Sequence, residues 1–419
     1  MLGDCKPDSN LVLDEFPVGL SVIDHEDRVV YINGFAKTLL GLPDSLFAGE
    51  PPHITDIVRF NSQRGEYGEG PLDEQLQTAI ARLRERKPHV FRRTRPGGTT
   101  IEICGAPTSS GGFITTYTDI SERARAEFLL QGQAKILAMI AMGADLHHVL
   151  DELMRLVDSQ LDGIFSSVLL LEGNKLRNGA APRFPEDYVK AVDGIEIGPS
   201  VGSCGTAAYH KKPVIVTDIM TDPLWAPFKD LVAAYGFRSC WSTPILSVSG
   251  DVLGTFAMYS QGVRAPSHRE STLIEVATRI AGIAIERKRA EDRISYMATH
   301  DVLTGAWSRS ALAARINEAI ARARDTGRHT SVVFVDLDNF KLINDSLGHR
   351  AGDELLRIVA NRMTRAVTSD ETVIRLGGDE FVILLDADST AAARIEERVQ
   401  TIKTAIAEPV QLGPHLFTP

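Results

Sequence analysis

The feature that most limits how this chain can fold is a single seam of positions: Leu273, Val276, Ile280, Ile283, Arg287, Ala290, Ile294 and Met297. Alternating steps of three and four keep all eight on one side of a continuous helix. Around its second half the other faces are charged, through Glu286-Arg287-Lys288-Arg289. The first half of such a helix is expected to lie on its own domain. The second half reads as a parallel coiled coil with a second copy, where Arg287 weakens the pairing and helps it change register. A looser seam, Leu130, Ala134, Leu137 and Ala141, marks another helical link over 120–141. The two links divide 419 residues into three segments, each large enough to bury a core.

Composition narrows the partners. Hydrophobic residues at 43% and charged residues at 24% are globular usage. A formal charge of -10 argues against nucleic acid or anionic membrane as a partner, since both select a basic face. An anionic ligand then needs a metal or a local basic cluster. No apolar run approaches the roughly 18 residues of a membrane span, and no basic region followed by an apolar one opens the chain. A cytoplasmic address with no membrane span is the expectation. Cys5, Cys104, Cys204 and Cys240 lack metal-binding or redox-motif spacing and read as reduced, buried core thiols. Cys204 and Cys240 fall in one segment, close enough in the chain for a shared pocket and redox sensing to be conceivable.

In the first segment, 19–24 and 28–32 read as strands around a turn at His25-Glu26-Asp27, and Asn33 is placed to cap a helix over 34–40. Runs 90–94 and 99–103 flank Arg95-Pro96-Gly97-Gly98 as a hairpin, and 112–118 adds a strand. This order, with Phe60-Asn61-Ser62-Gln63-Arg64-Gly65-Glu66-Tyr67-Gly68 and the closing Asp119-Ile120-Ser121-Glu122-Arg123, resembles a PAS domain, a sensory module. His25 and His53 read as surface residues, not haem ligands, so no cofactor is expected there. In the second segment a helix over 149–161 leads to strands at 167–171, 214–216 and 252–259. The run 198–206 lacks a phosphate-loop lysine, which rejects that motif. With Asp222-Pro223-Leu224-Trp225 and Ser239-Cys240-Trp241-Ser242-Thr243-Pro244-Ile245 it resembles a GAF domain, again regulatory. Trp225, Tyr235 and Trp241 read as core aromatics, and the sensor-domain ligand is unknown.

The third segment carries the chemistry. It opens on His300-Asp301-Val302-Leu303-Thr304-Gly305, with a helix over 310–325. The apolar strand 331–336 ends in Asp336-Leu337-Asp338, carboxylates that repel one another unless a cation joins them. Oxygen ligands of this kind suit magnesium, which keeps water and substrate phosphate in its other positions. A helix over 353–366 follows, then strands 372–376 and 380–385 joined at Gly377-Gly378-Asp379, where paired glycines let a phosphate approach the backbone. Asp379 is then placed to share a metal with Asp336. Taken singly, Asp336, Lys341, Asn344 and His349 read as a loop carboxylate, a surface cation, a cap and a turn residue; their joint spacing points to a site.

Asp336-Leu337-Asp338-Asn339-Phe340-Lys341, Asn344-Asp345, Gly348-His349-Arg350-Ala351-Gly352-Asp353 and Arg375-Leu376-Gly377-Gly378-Asp379-Glu380-Phe381 together resemble the GGDEF domain of diguanylate cyclases. The resemblance implies that Asp336, the Leu337 carbonyl and Asp379 hold Mg2+. It implies that Asn344 and Asp353 read guanine, that His349 lies against the nucleotide, and that Lys341 with backbone amides meets the terminal phosphates. Gly377 and Gly378 border the substrate, Glu380 supports the metal, and Asp379 is the candidate base. The reaction implied joins two GTP molecules into cyclic di-GMP across a homodimer set by the helical links.

Departures accompany this resemblance. Ala306-Trp307-Ser308-Arg309 stands where the family has Leu-Pro-Asn-Arg, and Thr368 and Glu371 replace the Arg and Asp of its inhibitory product site, so feedback through that site is not expected. After a helix over 390–407 the family's last strands, final helix and basic phosphate contacts are expected beyond Pro419. The fold class expected is α+β multidomain, with a PAS domain (11–120), helical linker (121–143), GAF domain (144–285), coiled-coil linker (286–298) and cyclase-like palm of GGDEF type (299–419). The alternatives are a noncatalytic GTP-binding or dimerising module, and the front part of a bifunctional cyclase/phosphodiesterase.

Overall fold

The structure is a computed structural model that describes residues 13–67, 71–387 and 392–419. In the first domain β1 (Gly19–Ile23) and β2 (Val29–Ile32) pair around a turn closed by the Asp24 carboxylate, which accepts from the N–H groups of Glu26 and Arg28. Asn33 caps α1 (Gly34–Leu40) as expected: its Oδ1 accepts from Ala36 at 2.9 Å and from Leu20 at 3.0 Å, tying the helix to β1. Helices α2 (Ile54–Gln63) and α3 (Leu72–Arg84) precede β3 (His89–Thr94), β4 (Thr100–Pro107) and β5 (Phe113–Asp119). The sheet order is β2-β1-β5-β4-β3, over a core that includes Ile23, Ile57, Ile101, Ile103 and Phe113. His25 is exposed, but His53 is half-buried and caps α2, its Nδ1 accepting from the Thr55 N–H.

The link α4 (Ser121–Ala141) buries Ile136 and Ile140 against the second domain, whereas Leu130 and Leu137 of its expected seam stay exposed. That domain runs α5 (Leu146–Asp158), β6 (Ile164–Glu172), β7 (Lys175–Ala180), α6 (Glu186–Val192), β8 (Ile195–Glu196), α7 (Gly202–His210), β9 (Val214–Val216), α8 (Lys229–Ala233), β10 (Ser239–Leu246), β11 (Val252–Ser260) and α9 (His268–Thr299). Its six strands lie in the order β8-β7-β6-β11-β10-β9. One core, with Leu153, Phe256 and Ile280, joins the sheet to α4, α5 and α9. The other is aromatic, with Phe184, Tyr188, Trp225, Phe237 and Tyr259. Trp225 and Trp241 are both buried, and the cavity beside Trp225, about 40 Å³, is too small for a metabolite.

Cys204 and Cys240 are buried side by side in that aromatic core. The hydrogen bond from Cys240 brings the Cys204 thiol down to about 7, against its burial, while burial pushes Cys240 up. Cys104, expected in the core, is only half-buried on β4, and Cys5 lies outside the described residues.

Helix α9 begins with a capping box between Ser267 and Glu270 and continues for 32 residues. Leu273 and Ile280 of the seam are buried in the domain core, Ile283 is 44% exposed, and Ile294 and Met297 are 62% and 46% exposed. The seam thus changes role along one helix, from packing on its own domain to an uncovered apolar stripe. Among the described residues no helix is long and apolar enough to cross a membrane.

The third domain contains β12 (Trp307–Ser308), α10 (Leu312–Thr326), β13 (His329–Val335), α11 (Phe340–Leu347), α12 (His349–Ala366), β14 (Thr372–Gly377), β15 (Glu380–Ala387), α13 (Ala392–Ile406), β16 (Val410–Leu412) and β17 (His415–Phe417). Four strands form a sheet in the order β12-β14-β15-β13. Alternation along β15 explains why it is central: Phe381, Ile383 and Leu385 enter one core with α12, and Val382 and Leu384 enter another with α10. The sequence pattern misplaces two features here. The helix expected from 353 begins at His349, and 340–347, to which the pattern assigns no element, is helical. The first residues of the helix expected over 390–407 lie outside the described residues, and a small β16–β17 hairpin follows it.

Candidate functional site

The acidic run sits where β13 leaves the sheet. Val335 pairs with Phe381 in the antiparallel ladder, so Asp336 and the Gly378-Asp379 turn emerge at the same end of neighbouring strands. Leu337 is 4% exposed and anchors the loop in the core; burying a leucine contributes about 1.5–3 kcal/mol. Among the described residues its carbonyl accepts a single long bond, 3.4 Å from the Phe340 N–H, leaving lone-pair capacity. Asp336 and Asp338 are exposed, and Asn339 adopts a left-handed φ of 61° that Asn tolerates, turning the chain into α11.

The first turn of α11 has no side-chain cap, and apart from the Phe340 N–H, which donates to Leu337, its N–H groups are open to an anion, with exposed Lys341 beside them. Asn344, on the same helix, lies against α12 at Gly352. A Cβ built on Gly352 would stand 2.1 Å from Asn344 Oδ1, so this glycine is what makes room for the amide. Asp353 is the next residue, so the two expected guanine readers stand on adjoining helices. His349 is exposed at the first position of α12.

The glycine turn joins β14 to β15 with Gly377 opposite Glu380. Gly378 has φ 56°, in the region that favours glycine, and a Cβ on either glycine would meet nothing within 4 Å, so space above the turn is open. Asp379 is half-buried and Glu380 exposed.

One participant was missed in the sequence. Arg375, 11% exposed, donates to the Gly378 carbonyl from Nε (3.1 Å) and Nη2 (2.7 Å), and to Asp301 Oδ1 from Nη1 (2.9 Å). Asp301 also accepts from the Thr304 N–H and hydroxyl. Burial pushes the Asp301 carboxyl up, but the bonds from Thr304 and Arg375 outweigh it and hold it below the usual carboxylate range. The turn that ends α9 is thereby clasped to the turn that carries Asp379. The only local signal was the Arg two positions before Gly377; its partner lies far upstream.

Glu371, at the inhibitory-site position, is buried and already committed: it accepts from the Thr368 N–H at 2.8 Å and from Arg398 at 2.6 Å.

The donor set of Asp336, Asp379 and the Leu337 carbonyl is all hard oxygen and fits a small divalent cation that retains water. With two carboxylates it falls below a conventional all-side-chain cage, and among the described residues no cluster of three or more His, Cys, Asp or Glu is placed to hold a metal.

Comparison with known proteins bears on these three domains. The family model for the diguanylate cyclase GGDEF domain matches residues 298–418, that for the PAS fold residues 13–128, and that for the GAF domain residues 145–285. A methyl sulfide methyltransferase-associated sensor of Methanosarcina acetivorans is 38% identical over 189 residues, 44% of this chain and 19% of that protein. A bifunctional diguanylate cyclase/cyclic di-GMP phosphodiesterase of Pseudomonas aeruginosa is 39% identical over 138 residues, 33% of this chain and 20% of that protein. Among solved structures, a sensory box/GGDEF family protein from Caulobacter crescentus is 37% identical, covering 29% of this chain and 78% of that chain, with a TM-score of 0.28. The matched regions span about a fifth of the length of these curated relatives. Cyclase domains of the GGDEF type generally use magnesium. The chain thus matches the family models of a PAS, a GAF and a diguanylate cyclase GGDEF domain, in that order.

Proposed function

We propose that this protein is a sensor-regulated diguanylate cyclase that condenses two GTP molecules into cyclic di-GMP with release of two pyrophosphates. The observation that carries the reading is the ladder pairing of Val335 with Phe381, which sets Asp336 beside the Asp379 turn. The packing of Asn344 on Gly352 next to Asp353 supports it.

In this reading Asp336, the Leu337 carbonyl and Asp379 hold Mg2+, and Glu380 supports them from the neighbouring position. The ion, when bound, stabilises charge at the attacked α-phosphate. Asn344 and Asp353 together offer the amide and carboxylate that a guanine edge can pair with. His349 lies against the nucleotide, and Lys341 with the open amides of α11 receives the terminal phosphates. Gly377 and Gly378 leave the turn bare for close approach. Asp379 takes the proton of the 3′-hydroxyl of the GTP held by a second copy.

Because each domain holds one GTP, the reaction needs a homodimer. The exposed part of α9 supplies the pairing surface, and segments 11–120 and 144–285 act as sensors through the links 121–143 and 286–298 onto the cyclase segment 299–419. No nucleic-acid partner enters this scheme, and the reaction belongs in the cytoplasm.

The test is product chromatography on the full chain with GTP and Mg2+. Cyclic di-GMP is expected from the natural protein and none from Asp379→Ala. A dimeric preparation that makes no product overturns the cyclase reading. Calorimetry with a nonhydrolysable GTP analogue then decides whether the chain is a noncatalytic GTP-binding module.

A further inference from the structure

The first domain encloses a cavity of about 670 Å³ between the face of its sheet and its helices, within the roughly 300–1,000 Å³ range of small-molecule sites. Leu40, Ile57, Val58, Phe91 and Ile103 give it apolar walls. Its chemistry centres on Arg93. That side chain is 13% exposed, its guanidinium stands over the Tyr67 ring at 5.0 Å, and its Nε is buried without a hydrogen-bond partner among the described residues.

The nearest carboxylate does not satisfy it. Glu66 is 4.0 Å from Arg93, beyond hydrogen-bond reach, and is held instead by Arg95, whose Nε and Nη2 donate to it at 3.0, 3.0 and 2.6 Å. Arg64 stands 3.6 Å from the same carboxylate and donates to the Leu40 and Gly41 carbonyls and to Asn61. Three guanidiniums therefore share one buried carboxylate, an excess of positive charge in a place where an unpaired ion is costly.

Among the described residues Arg93 is the one of these cations that donates no hydrogen bond, its link to Glu66 being a long ion pair. Arg64 and Arg95 are used by the protein, and Arg92, which also lines the cavity, is paired with Glu127 at 2.8 Å and Glu102 at 3.6 Å. A guanidinium with open hydrogen-bond capacity fits one carboxylate through its planar fork. The other acidic residue lining the space, Glu74, is exposed and disfavours a second negative group on the ligand. We infer that this cavity binds a small monocarboxylic acid with an apolar body, its carboxylate on Arg93 and its body against the wall of Leu40, Ile57, Phe91 and Ile103.

Octanoate and 1-octanol, which share a chain length and differ in charge, test this on the full natural protein by calorimetry. Saturable octanoate binding is expected, at least about tenfold tighter than 1-octanol, the value of a charge-assisted hydrogen bond. Arg93→Met is expected to weaken octanoate binding about tenfold or more, and Arg93→Lys to retain part of it. Equal binding of the two probes, no saturable octanoate binding, or a folded Arg93→Met variant with unchanged affinity overturns the inference. If Arg93→Met does not fold, the comparison of the two probes on the natural protein decides.

Discussion

Removing the Arg375 guanidinium should separate the linker from the glycine turn. In Arg375→Met the Gly378 carbonyl loses two donors, and the Asp301 carboxylate, a quarter exposed, keeps only its bonds to Thr304. Breaking one partner of a fully buried pair costs about 3–5 kcal/mol. Partial exposure of Asp301 and its remaining bonds reduce this to about 2–3 kcal/mol of hold on the turn. If that energy positions Asp379 for reaction, the rate falls roughly 30- to 150-fold, at 1.4 kcal/mol for each factor of ten. The assay is steady-state pyrophosphate release with GTP and Mg2+. The loss is expected mainly in kcat, because Asn344, Asp353 and Lys341 sit on other elements. Arg375→Lys should not rescue it, since an ammonium cannot reach the carbonyl and the carboxylate with one rigid fork. Asp301→Asn combined with Arg375→Met should be no worse than the Arg375 change alone. A variant with kcat within twofold of the natural protein, or strictly additive effects of the two substitutions, refutes the clasp.

Other outcomes follow from the same geometry. Gly352→Ala forces Asn344 from its place and should raise KM for GTP about tenfold or more with a smaller effect on thermal stability, as steady-state kinetics and melting would show. Burial raises the Asp158 carboxyl from 3.8 to about 6 against the bonds from Ser166, and its Oδ2 has no partner. Its folded pKa is raised, so this group favours the folded state most at low pH, and that contribution is lost as pH rises through about 4 to 6. The loss amounts to about 3 kcal/mol by pH 7. Asp158→Asn should therefore melt higher than the natural protein at pH 7.5, with the difference shrinking toward pH 4; equal melting curves at pH 7.5 would contradict it. Ile294→Glu places a charge on the exposed stripe of α9 and should weaken dimerisation at least about tenfold by sedimentation while leaving the monomer's melting temperature unchanged.

What could be read from the sequence divides by the range of the interactions involved. Asn33 and the Gly377-Gly378-Asp379 turn were legible because cap and hairpin are set by residues within three positions of one another. Helix α11 was not, since Lys341, Asn344 and Asp345 resemble a polar loop and its start depends on Asn339 accepting a left-handed φ. The helix after it was shortened because Gly348 alone, with φ 84°, separates the two helices, and the His349-Arg350-Ala351-Gly352 run that opens the second carries a glycine. Asn344 and Asp353, proposed to read guanine, were legible as a motif, but not the glycine whose missing Cβ makes room for Asn344.

The departure at 306–309 shows most plainly why the rest was hidden. As a motif, Trp307 is only a lost proline. In the fold it pairs with Ile374 on β14, lies 4.1 Å from the His300 ring, and carries the Arg315 guanidinium 4.1 Å above it; Tyr296, still on α9, stacks on His300 at 4.0 Å. A proline could not supply that aromatic face. The substitution thus extends the end of the linker helix into the strand that leads to Gly377, in parallel with the Asp301–Arg375 clasp. Two separate contacts join α9 to the candidate site, so a rotation or register change of that helix cannot occur without moving β14 or breaking one of them. That requirement gives the exposed seam a route to the chemistry, and it rests on five side chains, Tyr296, His300, Trp307, Asp301 and Arg375, that no single motif contains.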